Sequence, residues 1–146
     1  MTASEIAVVH CTKMTEELRL AIYAAFPDLA FDAAESARFL ADPDNVLFLA
    51  MSDSAVRGVA YGHRLQRLDQ RRAEILLYAI DIQKEFRQRG IGSRLVAAVK
   101  AWGTEKGAAE LWVLTERDNP AAMSLYRAAG GEEDSPNTTM FVFLLE

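Results

Sequence analysis

The spacing of apolar positions changes several times along the chain, and each change marks an element. Glu5 to His10 (EIAVVH) reads as a short strand, after which Met14, Leu18, Ala21, Ile22 and Ala25 fall on one helical face that Pro27 ends. A second, shorter helix fits Ala33 to Leu40. Pro43 and Asn45 then punctuate the chain before VLFLAM (Val46 to Met51), an unbroken apolar run typical of a buried strand. Ser52-Asp53-Ser54 makes a turn into a hairpin partner, Val56 to Leu65, where Gly58 and Gly62 mark bulges. Beyond a polar loop (Gln66 to Arg72), EILLYAIDI from Glu74 to Ile82 is the longest β-like stretch, and its near-continuous apolarity predicts a strand covered on both faces. Gly92 to Lys106 presents Leu95, Ala98, Val99 and Trp102 on one helical face, with Gly107 as its stop. A strand follows at Glu110 to Thr115. Asn119-Pro120 then supplies an N-cap residue and a first-turn proline for a helix through Ala129, and Met140 to Leu145 closes the chain as an apolar strand.

That order, β-α-α-β-β-β-α-β-α-β, predicts an α/β fold with a mixed central β-sheet flanked by helices. With 146 residues and 51% hydrophobic side chains, residues 1–146 are long enough for one core and too short for two ordinary domains. No stretch approaches the roughly 20 apolar residues that span a bilayer, and MTASEIAVVH lacks the basic flank of a secretory signal, so a cytoplasmic location is expected. The lone Cys11 cannot form an internal disulfide, and no Cys/His spacing suits zinc, so no metal is expected.

The net charge of −5 argues against a nucleic-acid partner, yet it is unevenly spread. Residues 1–62 carry 4 basic and 9 acidic side chains, residues 63–108 carry 10 and 5, and residues 109–146 carry 2 and 7. A basic middle between acidic flanks fits a central anionic ligand with a cationic partner beside it.

The most informative stretch is Arg87-Gln88-Arg89-Gly90-Ile91-Gly92, placed between a buried strand and an amphipathic helix. Two glycines let backbone N–H groups approach a ligand, and the helix N-terminus adds a positive dipole end. It is an anion cradle, but it lacks the Gly-Lys-Ser/Thr of a Walker loop and the three spaced glycines of a dinucleotide fingerprint.

Ile80-Asp81-Ile82, Arg87-x-x-Gly90-x-Gly92 and Asn119-x-x-Ala122-x-x-Leu125-Tyr126-x-x-x-Gly130, in this order and separation, resemble the GNAT superfamily of acyl-CoA-dependent N-acetyltransferases. The resemblance implies acetyl-CoA as co-substrate. Main-chain groups of Ile80 and Ile82 would pair with the pantetheine arm as an added strand. Arg87, Gln88, Arg89, Gly90, Ile91, Gly92 and Ser93 would hold the pyrophosphate, and Asn119 and Tyr126 would lie on the helix flanking the thioester. Tyr126 is then the candidate general acid for the departing thiolate, and Glu74 a candidate base acting through water. Asp81 interrupts the apolar run and points to the face opposite Ile80 and Ile82.

Within the superfamily, HRLQRLDQRRAEILLYAIDIQKEFRQRGIG (His63 to Gly92) and DNPAAMSLY (Asp118 to Tyr126) are similar to the class I aminoglycoside 3-N-acetyltransferases. The chain departs from that group at Asp81, by one extra residue before Tyr126, and after Gly131. An aminoglycoside acceptor carries several ammonium groups and calls for several carboxylates, for which Asp28, Asp32, Glu35, Asp81, Glu116 and Asp118 are candidates. Another small amine, a peptide N-terminus, or a non-catalytic acyl-CoA-binding module are the alternatives. His10, Cys11 and His63 show no nucleophile-and-base pattern, Trp102 and Trp112 sit at core-like positions, and Arg64, Arg67, Arg71 and Arg72 are candidates for attracting the adenosine 3′-phosphate. The apolar terminal strand points to a homodimer.

Overall fold

The computed structural model describes residues 5–146; the part of the leader-signal reading that rests on Met1 to Ser4 lies outside the described residues. Five strands, β1 (Ala7–His10), β2 (Asn45–Ser52), β3 (Ala55–Leu65), β4 (Glu74–Ile82) and β5 (Glu110–Trp112), form one sheet in chain order. The first four are antiparallel, and β5 joins β4 in parallel. Helices α1 (Glu16–Ala25) and α2 (Ala33–Ala41) connect β1 to β2, α3 (Ile91–Glu105) crosses from β4 to β5, and α4 (Pro120–Ala128) follows β5. None of the helices among the described residues is long and apolar enough to cross a membrane.

Strand alternation sorts the core into two layers. Val46, Phe48 and Ala50 of β2 pack with Ala60, Ile75 and Leu77 against Leu95, Val99 and Trp102 of α3. Leu47 and Leu49 point the other way and pack with Val59 against Ile22 and Phe26. The VLFLAM run is thus buried on both faces, as its pattern predicts. The bulges fall beside the two glycines named for them: the β2–β3 register shifts past Gly58, and the β3–β4 register shifts between Tyr61 and Gly62, leaving Tyr78 as the extra residue.

Two expectations fail for identifiable reasons. β4 is not covered on both faces: Ile75 and Leu77 are buried under α3, but Tyr78 is 62% exposed. The cause is that α1 packs chiefly on β3 and α2 on β2, which leaves this side of β4 at Tyr78 open. The terminal segment Met140 to Leu145 does not form a strand, and its six apolar side chains are 66–93% exposed. A strand needs an edge to pair with, and within this chain β5 is only three residues long, ending at Trp112 rather than Thr115.

Candidate functional site

β5 pairs with β4 only through Glu74, Ile75 and Leu76, so among the described residues β4 from Leu77 onward has one edge without a neighbouring strand. Ile80 and Ile82 lie along this stretch, half-buried against the α3-side core. The main chain of Ile82 is already engaged by side chains. Its N–H donates to Asp81 Oδ1 at 2.9 Å, its carbonyl accepts from Arg87 Nε at 3.0 Å, and Arg87 Nη2 meets Asp81 Oδ1 at 3.3 Å. An extended ligand adding to this edge at Ile82 therefore has to displace the Asp81 carboxylate and the Arg87 side chain.

The edge leads into the start of α3. Gln88 has φ +62° and Gly90 φ +80°, a left-handed pair that turns the chain sharply into the helix. The Arg94 N–H bonds to the Gly90 carbonyl at 3.1 Å, and no side chain caps Gly90, so the amides of Ile91, Gly92 and Ser93 precede the first intrahelical bond. These are the orphan donors that an anion satisfies. Ile91 contributes only its amide, since its side chain is core. Gly92 also serves packing: a Cβ there would lie 2.9 Å from Leu125 Cδ1, so the glycine lets α4 close onto α3. Arg57 and Arg89 both sit over the Phe86 ring, at 4.4 and 5.1 Å from its centroid, which places two guanidinium groups beside the turn.

The basic loop does not join this cradle. Arg64 and Arg72 bond to carbonyls of Lys106, Gly107 and Ala108, at the C-terminal end of α3. Fifteen residues of helix separate that end from the cradle, about 22 Å at 1.5 Å per residue. Arg67 is held by Asp69 and Glu74. Arg64 and Arg72 thus hold the turn that follows the helix, and Arg67 braces the loop.

Tyr126 stands on α4, half-buried against the same core cluster as Ile80 and Ile82. Burial raises its phenol pKa, so it keeps its proton at neutral pH. Asn119 caps α4, its Oδ1 accepting the Ala122 N–H at 3.1 Å; this is the role that Asn-Pro predicts, and it commits the side-chain oxygen to the helix.

Glu74 is poorly suited to the base role. Arg67 Nη1 donates to Oε2 at 2.6 Å and Trp112 Nε1 donates to Oε1 at 3.1 Å. Arg67 above all holds its pKa below the usual carboxylate value. A carboxylate with both oxygens occupied and a lowered pKa is a fixed anion, here tying the 66–72 loop to β4 and β5.

The acidic candidates divide by task. Asp32 and Glu35 form a reciprocal capping box at the start of α2, with bonds of 2.7 and 2.8 Å. Asp81 pairs with Arg87, as described. Asp28, Glu116 and Asp118 are exposed, and Glu116 also lends its carbonyl to the Asn119 N–H. Among the described residues no group of three or more His, Cys, Asp or Glu is placed to hold a metal ion.

One cluster escapes the motif-based reading. On the α1/α2 side, Tyr61 stacks on Tyr78 with centroids 5.5 Å apart, and His63 meets Tyr78 at 5.8 Å and Phe39 at 5.7 Å. The available signal was the two-residue spacing of Tyr61 and His63, which puts both on one face of β3.

A mixed sheet that parts beside an amide cradle offers a strand edge and helix-start amides to an extended, phosphate-bearing ligand. The chain belongs to the acetyltransferase (GNAT) family, whose description matches residues 11–130. It is 33% identical over 104 residues to aminoglycoside N(6')-acetyltransferase type 1 of Salmonella typhimurium, covering 64% of this chain and 72% of that protein. AAC(6')-Iy, solved with a bisubstrate analogue, CoA-S-monomethyl-acetylneamine, superimposes with a TM-score of 0.75 at 27% identity, over 97% of each chain. An aminoglycoside acetyltransferase from an uncultured soil metagenomic sample, in complex with trehalose, matches at a TM-score of 0.80 and 19% identity over 98% of each chain, a likeness of fold. The mixed sheet flanked by helices is thus the GNAT fold that the motifs imply.

Proposed function

We propose that this chain acetylates a primary amine of an aminoglycoside with acetyl-CoA, acting in the cytoplasm as a resistance enzyme. The observation that carries the reading is the unpaired edge of β4 running into the α3 amide cradle, with Tyr126 packed on the same side. The residues fit the co-substrate. Ile80 and Ile82 offer a strand edge to an amide-bearing arm, the amides of residues 91–93 suit a pyrophosphate, and Arg87, Gln88 and Arg89 lie at the entrance. Bound acetyl-CoA supplies an activated acyl group, and Tyr126, kept protonated by burial, gives the leaving sulfur its proton.

The acceptor class rests on the relatives. The 6′-amine is favoured because both the Salmonella proteins and AAC(6')-Iy carry that designation, and the likeness of residues 63–92 to 3-N enzymes finds no support among them. Asp28, Glu116 and Asp118, exposed and acidic, are the candidates to attract the acceptor's ammonium groups.

A homodimer accompanies this reading. The tail from Met140 to Leu145 lies exposed, and a cleft of about 570 Å³ is lined by Ile75, Leu77, Leu111, Val113 and Tyr126. Burying each Phe or Leu of such a tail is worth about 1.5–3 kcal/mol, a strong drive to associate with a second copy.

The test is free-thiol release from acetyl-CoA across aminoglycosides, polyamines and short peptides, with mass spectrometry of the product. Selective 6′-acetylation supports the full reading, and 3-acetylation would move the regiochemistry alone. Turnover only with simple amines or peptides would overturn the acceptor class. CoA binding without any turnover would leave a non-catalytic binding module.

A further inference from the structure

The reaction needs the acceptor amine in its neutral form, and the structure leaves Glu74 occupied by Arg67 and Trp112. A different group is prepared for proton transfer. Asn45 Nδ2 donates to the Phe39 carbonyl at 3.0 Å, which fixes the amide so that its Oδ1 faces His63 Nδ1 at 2.7 Å. An amide oxygen only accepts, so Nδ1 carries the proton and Nε2 carries the lone pair. Among the described residues no hydrogen bond to Nε2 is formed. The arrangement is a base whose tautomer and orientation are set by a third group.

Its position is equally specific. His63 is in register with Leu76, the last β4 residue paired to β5, and its ring touches Tyr78 at the bulge where the sheet begins to part. Strand alternation puts His63 on the α1/α2 side with Tyr61, and Tyr126 packs with the α3-side core, so the two groups stand on opposite faces of the sheet. That arrangement supplies a proton acceptor and a proton donor from two sides of the sheet to one reacting carbon.

We infer that His63 Nε2 accepts the proton of the attacking amine, with Asn45 as its positioning residue; this rests on the acetyltransferase reading above. The balance closes. The ammonium gives one proton to Nε2, the neutral nitrogen bonds to the thioester carbonyl carbon, and the C–S bond breaks. Tyr126 protonates the thiolate and is restored by the second proton lost from nitrogen, while the proton on His63 passes to solvent. Desolvation lowers the His63 pKa, only partly opposed by Asp42, so the ring is neutral at neutral pH. The other groups around the imidazole are neutral (Phe39 from α2, Asn45 from β2, Tyr61 and Tyr78), and the adjacent Arg64 is paired to Asp44 at 3.7 Å.

The experiment compares wild type with His63→Phe, which keeps a ring in the cluster and removes the base. kcat/KM is followed from about pH 5 to about pH 9, the range that histidine titration spans, and CoA binding is measured separately by calorimetry. The expected result is a loss of about 100-fold in kcat/KM, disappearance of the acid limb, which in wild type lies below the ordinary histidine pKa, and unchanged CoA affinity. Asn45→Ala should lower kcat more than it raises KM, and imidazole should partly rescue His63→Ala. Activity within about threefold of wild type with the acid limb retained would overturn the inference while leaving the enzyme reading intact. Wild type that binds CoA but acetylates nothing would overturn both. If His63→Phe does not fold, His63→Gln takes its place against the same readouts.

Discussion

Arg67 reaches across from the loop after β3 to bind Glu74, the first residue of β4, at 2.6 Å, and the same guanidinium grips Asp69. The 66–72 loop is therefore fastened to the strand that bears the gap. Because Arg67 lowers the Glu74 pKa, this carboxylate contributes stability that is fully present above the unfolded-state pKa and is lost as pH falls through the lower folded value. Glu74→Gln should lower the thermal midpoint at neutral pH and flatten the decline in stability below the ordinary carboxylate pKa, while leaving turnover within a few fold. A pH series of thermal melts with parallel kinetics checks both, and a collapse in kcat at unchanged stability would return Glu74 to the chemistry.

Gly92 sets how closely α4 approaches α3. A Cβ 2.9 Å from Leu125 Cδ1 overpacks that contact, which costs about 1–3 kcal/mol. Gly92→Ala should lose that stability and, because Tyr126 follows Leu125 on α4, should also depress turnover. Adding Leu125→Ala should recover part of the turnover by making room. The double-mutant cycle measures this as a coupling of favourable sign, and simple additivity would show that the glycine is needed for something else.

Sedimentation velocity on the full chain reports on the tail. Phe141→Asp with Phe143→Asp puts two charges into the exposed apolar run and should convert a dimer to a monomer at micromolar concentration. A monomeric wild type would remove the proposed association altogether.

Much of this fold is legible in the sequence because burial imposes it twice over. Val46 to Ala50 alternate between two real cores, and Asn119-Pro120 both starts α4 and caps it. β4 misleads because Leu76 and Ala79 are apolar yet only half-buried and Tyr78 is exposed: an apolar run signals a strand but does not say that a helix will lie on each side of it. The cradle is readable from Gly90, whose left-handed φ only glycine meets without strain, whereas the further role of Gly92, as a spacer between helices, is not. His63 carries no local motif. What marks it is Asn45, 18 residues away, whose own amide is fixed by Phe39, and no spacing rule connects three residues on three elements.

β4 has two natures along its nine residues. Its first third is completed by the protein itself, through β5, and among the described residues no other strand completes the remainder of that edge. Whatever extended molecule pairs with that remainder supplies strand hydrogen bonds, replacing at Ile82 those made by Asp81 and Arg87, so ligand and fold share a single free-energy account. Saturation at about 100 times the dissociation constant adds about 2.7 kcal/mol to stability. Amide exchange in the second half of β4 then becomes a gauge of occupancy, because the same N–H groups that a ligand would protect are those that solvent otherwise reaches.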